Sequence, residues 1–262
     1  MSNISVIIPH YNSGLDVKRA YESVLNQTLL PAEIIIIDDC SLDKSVLIDI
    51  VDNHSNTSID LKVFFLEKNS GPSFARNLGV RSTKSDYIAF LDSDDVWLPN
   101  KLEIQYKIML DKNLKFSFHL YSAFPVNSLL KESSLKKISL YSLAKKQIIC
   151  TPTVMLEKKF FQEFDEDLRY CEDFLCWVMT NNSNYFYMID GVFSNGFKRQ
   201  YGDSGLSANL KEMHKGFLQV CYILWLKGYW KWWCFMYFVV LEYIKYPLRL
   251  SKSKSKSKSK SK

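Results

Sequence analysis

The sequence predicts an α/β fold, a mostly parallel sheet flanked by helices. Two observations carry this. Short apolar, β-branched runs alternate with helical patterns across the first hundred residues. Those runs are apolar throughout, as in strands covered on both faces, and such strands belong to parallel sheets.

The elements follow in order. Residues 4–8 (Ile-Ser-Val-Ile-Ile) form a buried strand ended by Pro9. Val17, Tyr21, Val24 and Leu25 lie on one helical face. Four consecutive isoleucines at 34–37 make the second strand, and 45–51 reads as a helix. Residues 61–66 form a third strand, 73–80 a short helix and 87–91 a fourth strand. Leu98, Leu102, Tyr106 and Met109 space a further helix, with Pro99 suited to its first turn. Beyond it the pattern is less regular. Residues 116–121 and 185–189 read as strands, and the polar, Ser/Lys-rich stretch 131–146 as a loop with a short helix.

Residues 217–246 differ in kind, with Trp225, Trp230, Trp232 and Trp233 among many tyrosines and phenylalanines. The uncharged runs 216–226 and 232–241 are shorter than the ~18 apolar residues of a spanning helix. Helices lying in a membrane interface are expected, and the alternative is a core helix pair with a basic outer face. The alternating Ser-Lys tail, 251–262, has nothing to pack and is expected to be disordered.

Composition excludes several classes. A chain of 262 residues, 47% hydrophobic and 24% charged, is neither disordered, collagen-like nor a small disulfide scaffold. The net charge of +6 is uneven, because twelve of the basic side chains and only two acidic ones fall in 211–262. That end fits an anionic membrane surface, and no nucleic-acid partner is expected. The six cysteines form no CxxC pair and no zinc-finger spacing with the histidines, which points to free thiols in a reducing cytoplasm. Residues 1–8 lack the basic and small-residue features of a signal peptide.

The chemistry gathers at strand ends. Pro-His-Tyr-Asn (9–12), Asp-Asp-Cys-Ser (38–41), Asn-Ser-Gly (69–71) and Asp-Ser-Asp-Asp (92–95) follow the four strands in phase. In open α/β sheets ligands bind beyond the carboxyl ends of strands, so the four outline one cleft. Asp92, Asp94 and Asp95 repel one another unless a cation lies among them, and carboxylates with phosphate oxygens suit Mg²⁺ or Mn²⁺. An Asp-rich turn capping the next helix explains one aspartate and not three. No GxGxxG follows the first strand and no GxxxxGK[ST] occurs, which disfavours a dinucleotide-binding dehydrogenase and a P-loop NTPase.

Five segments then carry a resemblance: Ser-Val-Ile-Ile-Pro-His-Tyr-Asn (5–12), Ser-Val-Leu-Asn-Gln-Thr (23–28), Glu-Ile-Ile-Ile-Ile-Asp-Asp-Cys-Ser (33–41), Gly-Pro-Ser-Phe-Ala-Arg-Asn-Leu-Gly (71–79) and Tyr-Ile-Ala-Phe-Leu-Asp-Ser-Asp-Asp-Val-Trp-Leu-Pro (87–99). They resemble family 2 glycosyltransferases of the GT-A fold, in order over residues 4–110 and again at 164–177. The chain is most similar to bacterial enzymes that build O-antigen (lipopolysaccharide) or capsule repeat units. The resemblance implies a nucleotide-sugar half (1–114) and an acceptor half (115–210), which the expected membrane-associating helices (211–250) and the tail (251–262) follow.

It also implies roles. Pro9 and Tyr11 would contact uracil, with Tyr11 stacked on it. Asp39 would accept a hydrogen bond from the uracil edge. Arg76 would lie near the nucleotide or order its loop. Asp92 would reach the ribose or the water shell of a metal. Asp94 would ligate that metal, Mn²⁺ or Mg²⁺, with Asp95 supporting. Tyr-Cys-Glu-Asp-Phe-Leu-Cys-Trp (170–177) resembles the segment whose aspartate deprotonates the acceptor, making Asp173 the base and Glu172 its neighbour. Read alone, that pair is a helix N-terminus with favourable dipole interactions. Arg199, with Lys198, would neutralise the pyrophosphate. Tyr201 stands where the family commonly has histidine, which puts a third protein ligand in doubt.

The implied reaction is inverting transfer of a hexose, galactose or glucose, from a UDP-sugar to a lipid-linked acceptor, GlcNAc-diphosphate-polyprenol. It would form a β-linkage at the inner face of the cytoplasmic membrane. The rivals are a nucleotidyltransferase acting on sugar phosphates, whose glycine-rich N-terminal loop is absent, and a non-catalytic membrane scaffold. Oligomeric state stays open.

Overall fold

The computed structural model describes residues 2–54, 57–125, 134–146, 148–197 and 209–260, with side chains as far as Ser251. Chain order runs β1 (Ile4–His10), α1 (Leu15–Leu25), β2 (Glu33–Asp38), α2 (Ser45–Asn53), β3 (Asp60–Phe65), α3 (Gly71–Ser82), β4 (Tyr87–Phe90), β5 (Val96–Trp97), α4 (Lys101–Asp111), β6 (Phe116–Ser122), β7 (Ser134–Ser139), α5 (Leu140–Lys146), β8 (Met155–Glu157), α6 (Glu172–Asn181), β9 (Tyr185–Asn195), α7 (Leu210–Leu226) and α8 (Trp232–Lys260). The strands join in one sheet, ordered β3-β2-β1-β4-β8-β6-β9-β5, with β7 on β9.

The α/β class holds, and the sheet is more mixed than expected. β1 pairs in parallel with β2 and β4, as do β2 with β3 and β6 with β9. β8 runs antiparallel to both β4 and β6. Two reversals restore direction, so β6 and β9 point the same way as β1–β4. The carboxyl ends of all six therefore open onto one edge, where ligands bind in such sheets. The 114/115 division falls between α4 and β6, and the sheet is continuous across it.

Successive strand residues face opposite sides, which gives each side its own core. Val6, Ile8, Ile34 and Ile36 pack with Val17 and Val24 of α1, Leu47 of α2 and Leu102 of α4. On the other side Ile35 and Ile37 meet Ala75 of α3. Ile7, Phe90 and Phe116 there join Leu175 and Trp177 of α6 and Phe217 and Leu224 of α7.

Several expectations change. β1 continues through Pro9 to His10. Ile7 accepts from the Leu91 amide at 3.0 Å, and Pro9, two residues on, faces the same side, where β4 has ended. No partner is lost, so the missing N–H is tolerated. Pro99 precedes Asn100, the N-cap of α4, and lies outside the first turn. Within the polar 131–146 stretch, Ser134–Ser139 is strand β7, antiparallel to β9, and a lysine-rich strand of this kind suits a sheet edge.

The C-terminal helices pack one face into the core, as the core-helix reading expected, and leave apolar residues exposed on the other. Phe217, Val220, Cys221, Leu224, Trp230 and Phe238 enter the same core as α6. Trp230, expected at the lipid, is only 4% exposed. The far face of α8 leaves Trp232 (68%), Trp233, Met236, Val240, Tyr243, Ile244 and Leu248 exposed. Among the described residues no helix is long and apolar enough to cross a membrane. The α8 backbone stays helical to Lys260, in contrast to the expected disorder from Ser251. Extending an existing helix adds a hydrogen bond per residue without a new nucleus, and lysine is a good helix former.

Candidate active site

The loops after β1 and β2 are tied into one wall. The Asp39 amide donates to the His10 carbonyl at 2.8 Å. The Asn12 amide donates to Ser41 Oγ, and the Leu42 amide to Asn12 Oδ1, each at 2.9 Å. Asn12 and Cys40 take left-handed φ values of 47° and 65° to close these turns. Tyr11 is left 52% exposed at the sheet edge, one residue past His10.

Asp39 is buried and committed. Its Oδ1 accepts from the Ser70 amide at 2.6 Å and its Oδ2 from the Gly71 amide at 2.7 Å. These are amides of the α3 N-terminus, where unpaired donors and the helix dipole favour an anion. The carboxylate expected at uracil thus first fastens β2 to α3, with one lone pair on each oxygen remaining.

Arg76 of α3 is buried at the centre of the edge. Its Nη2 donates to Asp92 Oδ1 at 2.8 Å, just past β4. Its Nη1 lies 3.6 Å from Glu172 Oε1 at the start of α6. Its guanidinium also lies 5.4 Å from the Phe164 ring centroid. Burial opposes its charge, and Asp92, Glu172 and Asp173 outweigh that opposition. One cation therefore gathers carboxylates from residues far apart in sequence.

Two of the three aspartates in the turn have protein partners. Asp92 is held by Arg76, and Asp95 accepts from the Tyr121 hydroxyl at 2.8 Å. Burial, then the Asp95 charge, raise the Tyr121 pKa, so the phenol keeps its proton and donates. Gly196 makes this contact possible, because a Cβ there would collide with the Tyr121 hydroxyl. Among the described residues no three His, Cys, Asp or Glu side chains group to hold a metal ion. Half-buried Asp94 sits between the two held aspartates. One carboxylate ligand from the protein is enough for a hard cation that takes its other ligands from phosphate oxygens and water.

Helix α6 delivers the Glu172–Asp173 pair. Cys171, its N-cap, has φ 61°, and the Phe174 amide donates to Asp173 Oδ1 at 2.7 Å. The dipole at this position favours anions, yet both pKa values rise. Burial and then the Asp173 charge push Glu172 up to about 7, against Arg76. Burial raises Asp173 as well, against the Phe174 amide and Arg76. A carboxylate with a raised pKa is a better proton acceptor.

The structure thus brings Arg76, Asp92, Glu172 and Asp173 together, with Asp94 and Asp95 in the adjoining turn. Tyr11 and Asp39 line the β1–β2 end of the same edge. Arg199, Lys198 and Tyr201 lie outside the described residues. Tyr121 and Gly196 were missed by motif reading, although the strand-end rule applied to β6 and β9 points to both.

Comparison with known proteins accords with this geometry. The model of glycosyl transferase family 2 matches residues 5–162. An uncharacterized glycosyltransferase of Rickettsia bellii is 35% identical over 227 residues, 84% of this chain and 32% of the relative. The chain thus spans about a third of that relative's length. The UDP-Glc:alpha-D-GlcNAc-diphosphoundecaprenol beta-1,3-glucosyltransferase WfgD of Escherichia coli is 30% identical, with 81% of this chain and 83% of the relative covered. S. aureus TarS in complex with UDP-GlcNAc superposes with a TM-score of 0.64 at 21% identity, covering 85% of this chain and 66% of TarS, and shares the fold. From its strand-end motifs to these matches, the chain belongs to glycosyl transferase family 2.

Proposed function

We propose that the protein transfers a hexose from a UDP-sugar to a lipid-linked sugar acceptor with inversion at the anomeric carbon. The observation that carries this reading is the buried Glu172–Asp173 pair, with raised pKa values, held against the Asp92 turn by Arg76. Asp173 takes the acceptor hydroxyl proton as that oxygen attacks the anomeric carbon. The bond from this carbon to the diphosphate oxygen breaks, UDP leaves, and an α-linked donor yields a β-glycoside. Glu172 orients the acceptor. The exposed Tyr11 ring stacks on uracil, and Pro9 packs beside it. Asp94 is the candidate ligand for Mg²⁺ or Mn²⁺, which when bound would stabilise the departing diphosphate.

The name of the E. coli relative supports glucose as the sugar and GlcNAc-diphosphoundecaprenol as the acceptor class, and a transfer of this kind fits the O-antigen or capsule synthesis expected from the sequence. The exposed apolar residues of α8, from Trp232 to Leu248, followed in sequence by lysines, support peripheral contact with the inner, anionic membrane leaflet, where such acceptors reside.

The test is a panel of UDP-glucose, UDP-galactose and UDP-GlcNAc with a synthetic GlcNAc-diphosphate-lipid and Mn²⁺. UDP-glucose or UDP-galactose should release UDP only when the acceptor is present, and the product should be β-linked. EDTA, or Asp94→Ala, should remove transfer without unfolding the protein, because a loop aspartate adds little to the core. Full activity in EDTA ends the metal proposal, and an α-linked product ends inversion. Flotation with anionic vesicles at two salt concentrations tests the membrane contact. Protein that stays in solution throughout refutes it.

A further inference from the structure

The residues bracketing the Glu172–Asp173 pair are held from behind by the C-terminal hairpin, which lies outside the family-matched segment 5–162. Cys171, which turns the chain into α6, has φ 61°, a conformation that non-glycine residues keep only when their surroundings impose it. Arg76 supplies one constraint, from the nucleotide side. Helix α7 supplies the opposite one. At Gly216 its backbone presses on Tyr170 so closely that a Cβ would sit 2.6 Å from Tyr170 Cβ and 2.7 Å from the Tyr170 carbonyl oxygen. Cys171 Sγ lies 3.8 Å from the Met213 carbonyl oxygen, one turn earlier on α7. The Phe174 ring packs 5.9 Å from Phe217 and 6.5 Å from Trp230, centroid to centroid. Residues 170, 171 and 174 are therefore all buttressed by α7 and the turn that follows it, and the acidic pair lies between them.

We propose that α7 is a positioning element for the Glu172–Asp173 pair, and that Gly216 is the residue whose missing side chain sets the distance. This rests on the reading of Asp173 as the base. It gives the hairpin a second task beside any lipid contact. Its inner face fixes where the acceptor is deprotonated, and its outer face carries the exposed aromatic residues.

Gly216→Ala tests the proposal with little ambiguity about the helix itself, because alanine is the better helix former. The added methyl would overlap Tyr170, so the Tyr170 backbone must retreat toward ordinary contact. A misplacement of ~1 Å at a reacting group costs on the order of 10²-fold in rate. Rates would be read as UDP release from the accepted UDP-hexose with a GlcNAc-diphosphate-lipid. The expected result is a kcat lower by about 10- to 10²-fold, an unchanged donor KM and an unchanged UDP-induced shift in melting temperature. Phe217→Leu, which loosens the same contact without a clash, should lower kcat in the same selective way, and carries the test if Gly216→Ala does not fold. Gln219→Ala, on the exposed side of α7, should match wild type. Wild-type kcat in the folded Gly216 and Phe217 variants overturns the proposal, as does a kcat loss matched by a rise in donor KM. Asp173→Asn, assayed alongside, separates the two claims. If it is inactive while Gly216→Ala is normal, only the α7 proposal fails. If Asp173→Asn is fully active, the base reading fails and the α7 proposal falls with it.

Discussion

The two edges of the same sheet treat a buried carboxylate in opposite ways. At the amino edge, Glu33 opens β2 and accepts from Ser5, Thr83 and the Lys84 amide, with the Lys62 ammonium against its other oxygen. Burial alone would raise its pKa, yet these donors outweigh burial and hold it down at about 2. At the carboxyl edge, Glu172 and Asp173 share Arg76 with Asp92, and burial wins. A satisfied carboxylate stabilises the fold and stays a carboxylate. An under-satisfied pair weakens the fold and is ready to take a proton. The sheet thus keeps its stability at one edge and its chemistry at the other.

The largest expected break in this contrast is at Arg76. Arg76→Gln leaves Asp92, Glu172 and Asp173 without their cation. Removing one partner of a buried ion pair costs about 3–5 kcal/mol, and the loss should show in urea unfolding of the metal-free protein. Because Arg76 lowers the pKa of both acids of the pair, the acid limb of the rate profile should move to higher pH. An unmoved limb would detach Arg76 from the pair.

Glu33→Gln is the matching change at the other edge. It should cost about 2–3 kcal/mol through the lost charge-assisted hydrogen bonds from Lys62, Ser5, Thr83 and the Lys84 amide, with kcat unchanged because the residue lies at the opposite edge from the site. A kcat loss at full stability would erase the distinction between the edges.

The smallest effect is in the pH dependence of the melting temperature, measured in EDTA. Glu33, depressed from 4.5 to about 2, contributes stability that is present above pH 4.5 and lost as pH falls toward 2. Glu172, raised from 4.5 to about 7, works in the other sense, its contribution present below pH 4.5 and lost as pH rises through 7. Glu33→Gln should flatten the acid rise, and Glu172→Gln the decline toward neutrality. If each variant flattens the other's limb, the assignment is reversed.

Much of the β1–β4 half of the sheet was legible in the sequence. The isoleucines at 34–37 admit little but a strand covered on both faces, and the polar residues after each such run mark where the strands end. What stayed hidden depends on distance in sequence. Nothing in the local pattern joins Arg76 to Glu172, Asp95 to Tyr121, or Gly216 to Tyr170, because those contacts exist only once the sheet is assembled. Nor can sequence alone show that an arginine and a tyrosine hold two of the three aspartates after β4. β7 was concealed by its lysines, and three-residue β8 is too short to show a period. Glu33 was invisible as well, because one acid before an apolar run carries no signal of the donors that gather around it.

The central claim is that Asp173 removes the acceptor proton, and Asp173→Asn tests it most directly. Asparagine keeps the shape and cannot accept the proton. The measurement is kcat for UDP release with acceptor, taken together with the UDP-induced shift in melting temperature. The account predicts a fall of at least ~10²-fold in kcat with nucleotide binding intact. A near wild-type kcat, or a loss of nucleotide binding that accounts for the whole effect, would contradict it.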